Sequence, residues 1–328
     1  MSTVQWIVIC VVPAAIAWGA ILALARSPLA ARLADVPNER SLHGIPTPRI
    51  GGLGVMAGAL PFAWAFATPE LAVILGAAMF LCALSFADDL RSLPIQVRLA
   101  GHIVAAAIVV LATQQGGEPV GANLVESMGA VLAIVWMTNL FNFMDGSDGL
   151  AGGMAAIGFA ALAIAAGTSG HLALAAIAAA LASASTGFLA HNFPPARVFM
   201  GDAGSVPLGF LAGALGFAGW KNGAWPLFFP IGVFAPFIAD ASITLVRRVL
   251  GREPFWKAHR THGYQRLVVA GWSHRQLALR AYVLMAVSAA IALAALAAGE
   301  STRAGIILAF AAAYALLFTA IAIRTRGS

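Results

Sequence analysis

LVESMGAVLAIVWMTNLFNFMDGSDGLAGG, residues 124–153, carries the reading on which the fold rests. An apolar run over 124–141 is long enough to cross a ~30 Å hydrocarbon core as a helix. It ends in a glycine-rich turn that holds Asp145 and Asp148, and a second apolar run starts at once. Carboxylates at the end of a membrane helix are costly, and where they persist they generally serve a function.

The same grammar extends over the whole chain. Of its 328 residues, 61% are hydrophobic and 10% charged, and the mean hydropathy is +0.88. That composition excludes a soluble globular domain. Apolar stretches at 4–25, 52–67, 71–87, 99–113, 124–141, 151–167, 172–190, 205–219, 225–246, 277–298 and 304–323 predict about eleven spans. They do not alternate apolar and polar residues as membrane barrel strands do. Backbone amides in lipid then have helices as their way of being satisfied. The expected architecture is an all-α, polytopic membrane protein forming one domain over 1–328. The first run is read as a membrane helix, because no Lys or Arg precedes it and it is too long for a signal peptide. Cys10 and Cys82 lie in apolar segments and suggest neither a disulfide nor a metal site.

Charge sets the expected orientation. With the N-terminus outside, all of the 19 Lys and Arg residues except Lys221 and Arg303 fall on inner loops or the inner C-terminal tail. The positive-inside rule therefore predicts a cytoplasmic C-terminus. The net charge of +6 is a matter of topology and does not indicate a nucleic-acid partner. On this topology five inner loops, at about 26–51, 88–98, 142–150, 191–204 and 247–276, hold the groups with chemical potential.

Asp88 and Asp89 end the third span as a carboxylate pair. Adjacent acids repel unless a cation or a proton lies between them, and a helix C-terminus disfavours negative charge. Asn142, Asp145 and Asp148 are spaced three apart, and Gly146 and Gly149 predict a bend that lets a ligand approach the backbone. Amides at the start of the following helix suit an anion. A cap would need one such residue and not three. Asp202 sits between glycines at the mouth of the eighth span, in NFPPARVFMGDAGS. Hard cations such as Mg²⁺ take a few carboxylate oxygens together with phosphate and water. His259, Arg260 and His262 place two imidazoles and a guanidinium within four residues, a set suited to holding phosphate. The alternative for that loop is contact with anionic lipid headgroups. Asp240, two turns before Arg247, is read as one half of a structural pair. His102, His171, His191 and His274 are read as structural.

Together these residues resemble the polyprenyl-phosphate N-acetylhexosamine-1-phosphate transferase superfamily (glycosyltransferase family 4). The resemblance runs from SLHGIPTPRIGG, residues 41–52, to HRTHGYQRL, residues 259–267. Asp88 and Asp89 match the family's aspartate pair, with Ser92 where some members have a third acid. Asn142, Asp145 and Asp148 match its Asn-x-x-Asp-Gly-x-Asp-Gly element. Asn192 matches the Asn before Pro-Ala, Phe199 an aromatic near the nucleobase, Asp202 a magnesium-binding Asp, and His259 and His262 the histidine motif. HRTH in place of three consecutive histidines resembles the O-antigen or capsule branch more than the peptidoglycan branch.

The resemblance implies a bacterial inner-membrane enzyme with a cytoplasmic site. Such an enzyme transfers a hexosamine 1-phosphate from a UDP-N-acetylhexosamine to undecaprenyl phosphate and releases UMP. The implied cofactor is Mg²⁺, or Mn²⁺ in its place, on Asp202 and Asp89, with Asp88 positioning or deprotonating the lipid phosphate. A covalent aspartyl route is equally compatible with the residues. Membrane lipid surrounds the chain, and a homodimer is one arrangement left open. The competing class is an ion-coupled secondary transporter. It would place its acids near the bilayer midplane between internal repeats, whereas here they crowd one surface and no repeat is evident.

Overall fold

A computed structural model describes residues 1–37, 44–113, 124–254 and 260–325. In chain order the elements are α1 (Thr3–Ala25), α2 (Pro28–Arg32), β1 (Ala34–Asp35), β2 (Thr47–Pro48), α3 (Gly51–Ala65), α4 (Pro69–Arg91), α5 (Ile95–Thr113) and α6 (Leu124–Phe143). There follow α7 (Leu150–Thr168), α8 (Leu172–Asn192), α9 (Asp202–Lys221), α10 (Phe228–Val233), α11 (Ala235–Leu250), α12 (Gly263–Val269), α13 (His274–Ala297) and α14 (Glu300–Arg324). Among the described residues, nine helices are long and apolar enough to cross a membrane: α1, α4 to α9, α13 and α14. The protein is an all-α, multi-pass membrane protein.

Two of the eleven expected spans differ from a simple membrane helix. The second is α3, whose 15 residues reach only about 22 Å at 1.5 Å per residue. The ninth, expected over 225–246, is broken into the six-residue α10 and the 16-residue α11. Phe234 separates them, and Pro236, in the first turn of α11, has no amide hydrogen to carry the ladder across. α11 then emerges as an amphipathic helix that buries Phe237, Asp240, Ala241 and Thr244 and carries Arg247 and Arg248 in its last turn.

The middle of the bundle is α7, α8 and α9, rich in alanine and glycine. Small side chains let helix backbones approach each other in lipid, where packing replaces the hydrophobic effect as the associating force. A Cβ added to Gly52 of α3 would collide with the Cα and N of Gly204 of α9, so these helices cross backbone to backbone. α1 shows how lipid enforces full hydrogen bonding. Pro13 interrupts its ladder, and the Ser183 hydroxyl of α8 fills the gap. It accepts from the Ala14 amide at 3.1 Å and donates to the Cys10 carbonyl at 2.8 Å.

Helix direction sorts the polar residues to two ends. At one end Lys221 pairs with Glu126 at 2.7 Å, and Asn222 donates to Glu70 at 3.1 Å. Arg303 donates to the carbonyls of Ala295 and Ala298 and caps α13. The acidic clusters lie at the other ends of the same helices. α14 is almost wholly exposed along its length and buries only Tyr314, whose hydroxyl meets Ser288 at 2.7 Å.

Candidate active site

The site begins with how α4 stops. Ser92 caps it in the left-handed region, at φ 49°, and turns the chain so that the Leu93 amide donates to Asp88 Oδ1 at 2.6 Å. The aspartate pair therefore sits inside the last turn of α4. There Asp88 faces Arg98 of α5, whose Nη1 lies 2.7 Å from Asp88 Oδ2. The same Nη1 lies 3.6 Å from Asp202 Oδ2. One guanidinium thus joins two acids that are far apart in sequence.

Asp202 opens α9. The preceding Gly201 has φ +73°, a backbone that favours glycine. That turn aims the first amides of α9 at α4, and Asp89 Oδ2 accepts from the Ala203 amide at 3.2 Å. A carboxylate at a helix N-terminus is favoured by the macrodipole. The Asp89 side chain is only 2% exposed, and Arg49 Nη1 lies 3.8 Å from it. Arg49 also donates to Asp35 Oδ1 at 2.8 Å through Nη2. On the opposite flank Asn142 Nδ2 donates to Asp202 Oδ1 at 2.8 Å and to Ser205 Oγ at 2.9 Å.

Backbone bonds hold these segments in place. The Phe199 amide donates to the Pro48 carbonyl, and the Gly51 and Gly52 amides donate to the carbonyls of Phe199 and Met200, at 2.8–2.9 Å. The expected motifs around 41–52 and 192–205 are therefore one stitched structure from Pro48 onward. Phe199 is half-buried there, beside Arg49. Arg49, Asp88, Asp89, Ser92, Leu93, Arg98 and Asp202 line a cavity of about 350 Å³.

Asp145 lies half-buried in the turn after α6, within electrostatic reach of Asp202 and Asp89. Burial and the charges of those two acids push its carboxyl well above the ordinary carboxylate range, and Arg49 offsets part of this.

Other expected residues have a different setting. Asp148 accepts from the Ala196 amide at 3.0 Å, with His274 Nδ1 at 3.8 Å from its other oxygen. Asn192 is buried, accepts from the Gly149 amide and donates to the Val198 carbonyl, both at 2.8 Å. These two side chains tie the Pro194–Pro195 loop to the acidic turn. His262 is buried as the cap residue of α12, and Arg260 is exposed two residues earlier. His259 lies outside the described residues.

Asp240 is structural, but its partner is not Arg247. Its two oxygens accept from the amides of Gly263 at 2.7 Å and Tyr264 at 3.0 Å, and Thr244 donates to it at 3.3 Å. It thereby anchors α12 against α11, with His262 Nδ1 at 3.6 Å. Tyr264 carries the connection onward by donating to the Phe143 carbonyl at 3.0 Å. Residues from all five expected loops thus meet at one end of the bundle.

His191 Nε2 lies 3.1 Å from the Trp18 carbonyl, and His171 Nε2 lies 3.0 Å from that of Asn222. His102 is buried in α5 one turn beyond Arg98. His274, read as structural, joins the acidic turn through Ser147 at 2.9 Å. Arg49 and Arg98 entered the sequence reading only as topology charges. The available signal was position, since each lies on an expected inner loop that also carries a site motif.

Among the described residues, no group of three or more His, Cys, Asp or Glu side chains has metal-binding geometry. The donor set still suits a hard cation. Asp89 and Asp202 offer carboxylate oxygens around one polar cavity, and Mg²⁺ is commonly held by one or two carboxylates with phosphates and waters completing its shell.

Fold and site define a class: a multi-pass membrane protein with an acid- and arginine-lined pocket at one end of its helices. Residues 71–219 match the family model described as glycosyl transferase family 4. The chain is 30% identical over 264 residues to a probable undecaprenyl-phosphate N-acetylglucosaminyl 1-phosphate transferase of Bacillus subtilis, covering 76% of this chain and 74% of the relative. It is 31% identical over 301 residues to the decaprenyl-phosphate N-acetylglucosaminephosphotransferase of Mycolicibacterium smegmatis, covering 77% and 73%. A phospho-N-acetylmuramoyl-pentapeptide-transferase of Nostoc is 38% identical over 180 residues, covering 50% and 45%. The chain belongs to the polyprenyl-phosphate N-acetylhexosamine-1-phosphate transferase superfamily.

Proposed function

We propose that the chain transfers an N-acetylhexosamine 1-phosphate from a UDP-sugar to undecaprenyl phosphate, releasing UMP, and so initiates a lipid-linked envelope glycan. The observation that carries this is the arrangement in which Arg98 spans Asp88 and Asp202 while Asn142 holds Asp202 from the other side. A transporter path would not need two arginines and a capped helix N-terminus around its acids. Relatives that cover about three quarters of the chain are named for N-acetylglucosamine 1-phosphate, whereas the muramoyl-pentapeptide relative covers half. That supports the O-antigen or capsule type of donor over the peptidoglycan one.

In this reading an oxygen of the lipid phosphate attacks the β-phosphorus of the nucleotide sugar. The bond from that phosphorus to the bridging oxygen breaks, and UMP leaves with the oxygen. Both reactants are anions, so the task is alignment and charge neutralisation. Arg49 and Arg98 supply fixed positive charge at the two carboxylate flanks. Asp88, held by the Leu93 amide and Arg98, orients the lipid phosphate and accepts a proton from it when it is monoprotonated. Asp89 and Asp202 are the candidate holders of Mg²⁺, which when bound would screen the diphosphate as a Lewis acid. Asp148 and Asn192 shape the neighbouring loop, where Phe199 and the His262 segment would border the donor. In this reading the end that carries the site faces the cytoplasm at a bacterial inner membrane, and the positive-inside distribution supports that orientation.

Purified protein with Mg²⁺, undecaprenyl phosphate and a panel of labelled UDP-sugars should release UMP with at least one sugar, and chelation should stop it. Asp202→Asn should abolish turnover. No release with any sugar, alongside ion-driven uptake into vesicles, would establish the transporter instead.

A further inference from the structure

A second cavity, of about 370 Å³, lies between α11, α12, α13 and α14 and is separate from the polar pocket. That volume falls in the range of ligand sites, roughly 300–1,000 Å³. Phe237, Leu267, Leu284, Met285 and Phe318 make its walls predominantly apolar. Asp240 also lines it, but its oxygens are committed to the amides of α12.

The charged part of the lining is different in kind. Arg280 and Arg324 are exposed and flank the Trp272 ring, with guanidinium carbons 4.1 and 5.5 Å from its centroid. Among the described residues neither arginine has a carboxylate partner. Both belong to the same end of the bundle as the site, one early in α13 and the other at the last residue of α14. Trp and Arg at that level are the residues expected beside lipid headgroups. α14 touches the rest of the bundle lightly, so the space between it and α13 is open to lipid from the side.

We propose that this cavity holds an acyl chain of an anionic phospholipid whose phosphate lies between Arg280 and Arg324. An apolar chamber beneath two guanidiniums that no described carboxylate pairs matches that amphiphile in both parts. The site is distinct from that of the transferred phosphate. Arg49 and Arg98 line the polar pocket, and Arg280 and Arg324 line only the apolar one. The cavity does share a wall with the site, since Met144 and Leu150 flank the turn that carries Asp145 and Asp148. A resident lipid would therefore brace that turn and α12 from behind.

Native mass spectrometry of the full chain, offered equal phosphatidylglycerol and phosphatidylcholine of matched acyl chains, tests this. The wild type should retain the anionic lipid roughly tenfold over the zwitterionic one. Arg280→Gln with Arg324→Gln, both exposed and so compatible with folding, should bring the ratio near one. Ala281→Trp should remove the retained lipid while both arginines remain. Equal retention by the wild type, or an unchanged preference in the double variant, overturns the proposal. One-for-one displacement by undecaprenyl phosphate also overturns it, by showing the cavity to be the acceptor's.

Discussion

Asn142 Nδ2 donates to Asp202 Oδ1 at 2.8 Å and so joins the last turn of α6 to the first residue of α9. The same nitrogen reaches Ser205 Oγ at 2.9 Å, so its two protons fix one carboxylate oxygen and the helix behind it. Oδ2 is left to face Arg98 and the cavity. Asn142→Asp would set carboxylate against carboxylate and remove the donor. Turnover in the UMP-release assay should fall by roughly a hundredfold, the scale seen when a preorganised donor is lost from a reacting site. Wild-type rates in Asn142→Asp would remove Asp202 from the chemistry.

Arg98 makes a sharper test, because its reach is the point. Its Nη1 alone lies near both acids, at the end of a side chain one atom longer than that of lysine. Arg98→Lys should keep contact with one of Asp88 and Asp202 and lose the other. Arg98→Gln should lose both. The expected order of kcat is wild type, then Lys about tenfold lower, then Gln about a hundredfold lower. Equal activity in the Lys and Gln variants would show that bridging the two acids contributes nothing.

Nine of the eleven expected segments are long apolar helices, as lipid demands, and the segment at 52–67 is the shorter α3. The exception at 225–246 is instructive. Hydropathy sums over Pro236 as if it were an ordinary residue, while the helical ladder is interrupted just before it, at Phe234. Helix ends were less legible for a related reason. α4 runs to Arg91, four residues past its expected limit at 87, because hydrogen bonding continues after hydrophobicity stops. The acids were visible as clusters, but their division of labour was not. Asp145 and Asp148 look equivalent in a glycine-rich turn, yet the first feels the charges of Asp202 and Asp89 and the second holds the Ala196 amide. Arg98 and Asp202 are far apart in sequence, and no local pattern announces their contact.

Asp145 predicts a pH dependence of stability. Its carboxyl binds a proton more tightly in the folded chain than in the unfolded one, where it titrates near ~4. The associated stability is complete below that value and is lost as pH rises through the raised folded value. In chelator, the melting temperature of the wild type should therefore fall relative to Asp145→Asn as pH is taken from 5 to 9. Parallel curves would show that Asp145 titrates as an ordinary carboxyl.

Asp240 should prove essential for loop order while touching no substrate. It is 5% exposed and satisfies two amides of α12, and a lone buried donor costs ~1–3 kcal/mol. Asp240→Ala strands both amides and frees the segment that carries His262. Asp240→Asn keeps an acceptor for one of them. The Ala variant should melt several degrees lower and expose the 260–269 segment to limited proteolysis, with the Asn variant between it and wild type. Its kinetic signature should be a raised KM for the UDP-sugar larger than any change in kcat, since the histidine segment borders the donor in the proposed arrangement. If kcat collapses in both variants while the proteolytic pattern stays that of the wild type, Asp240 acts in the reaction itself and its place as an anchor for α12 is wrong.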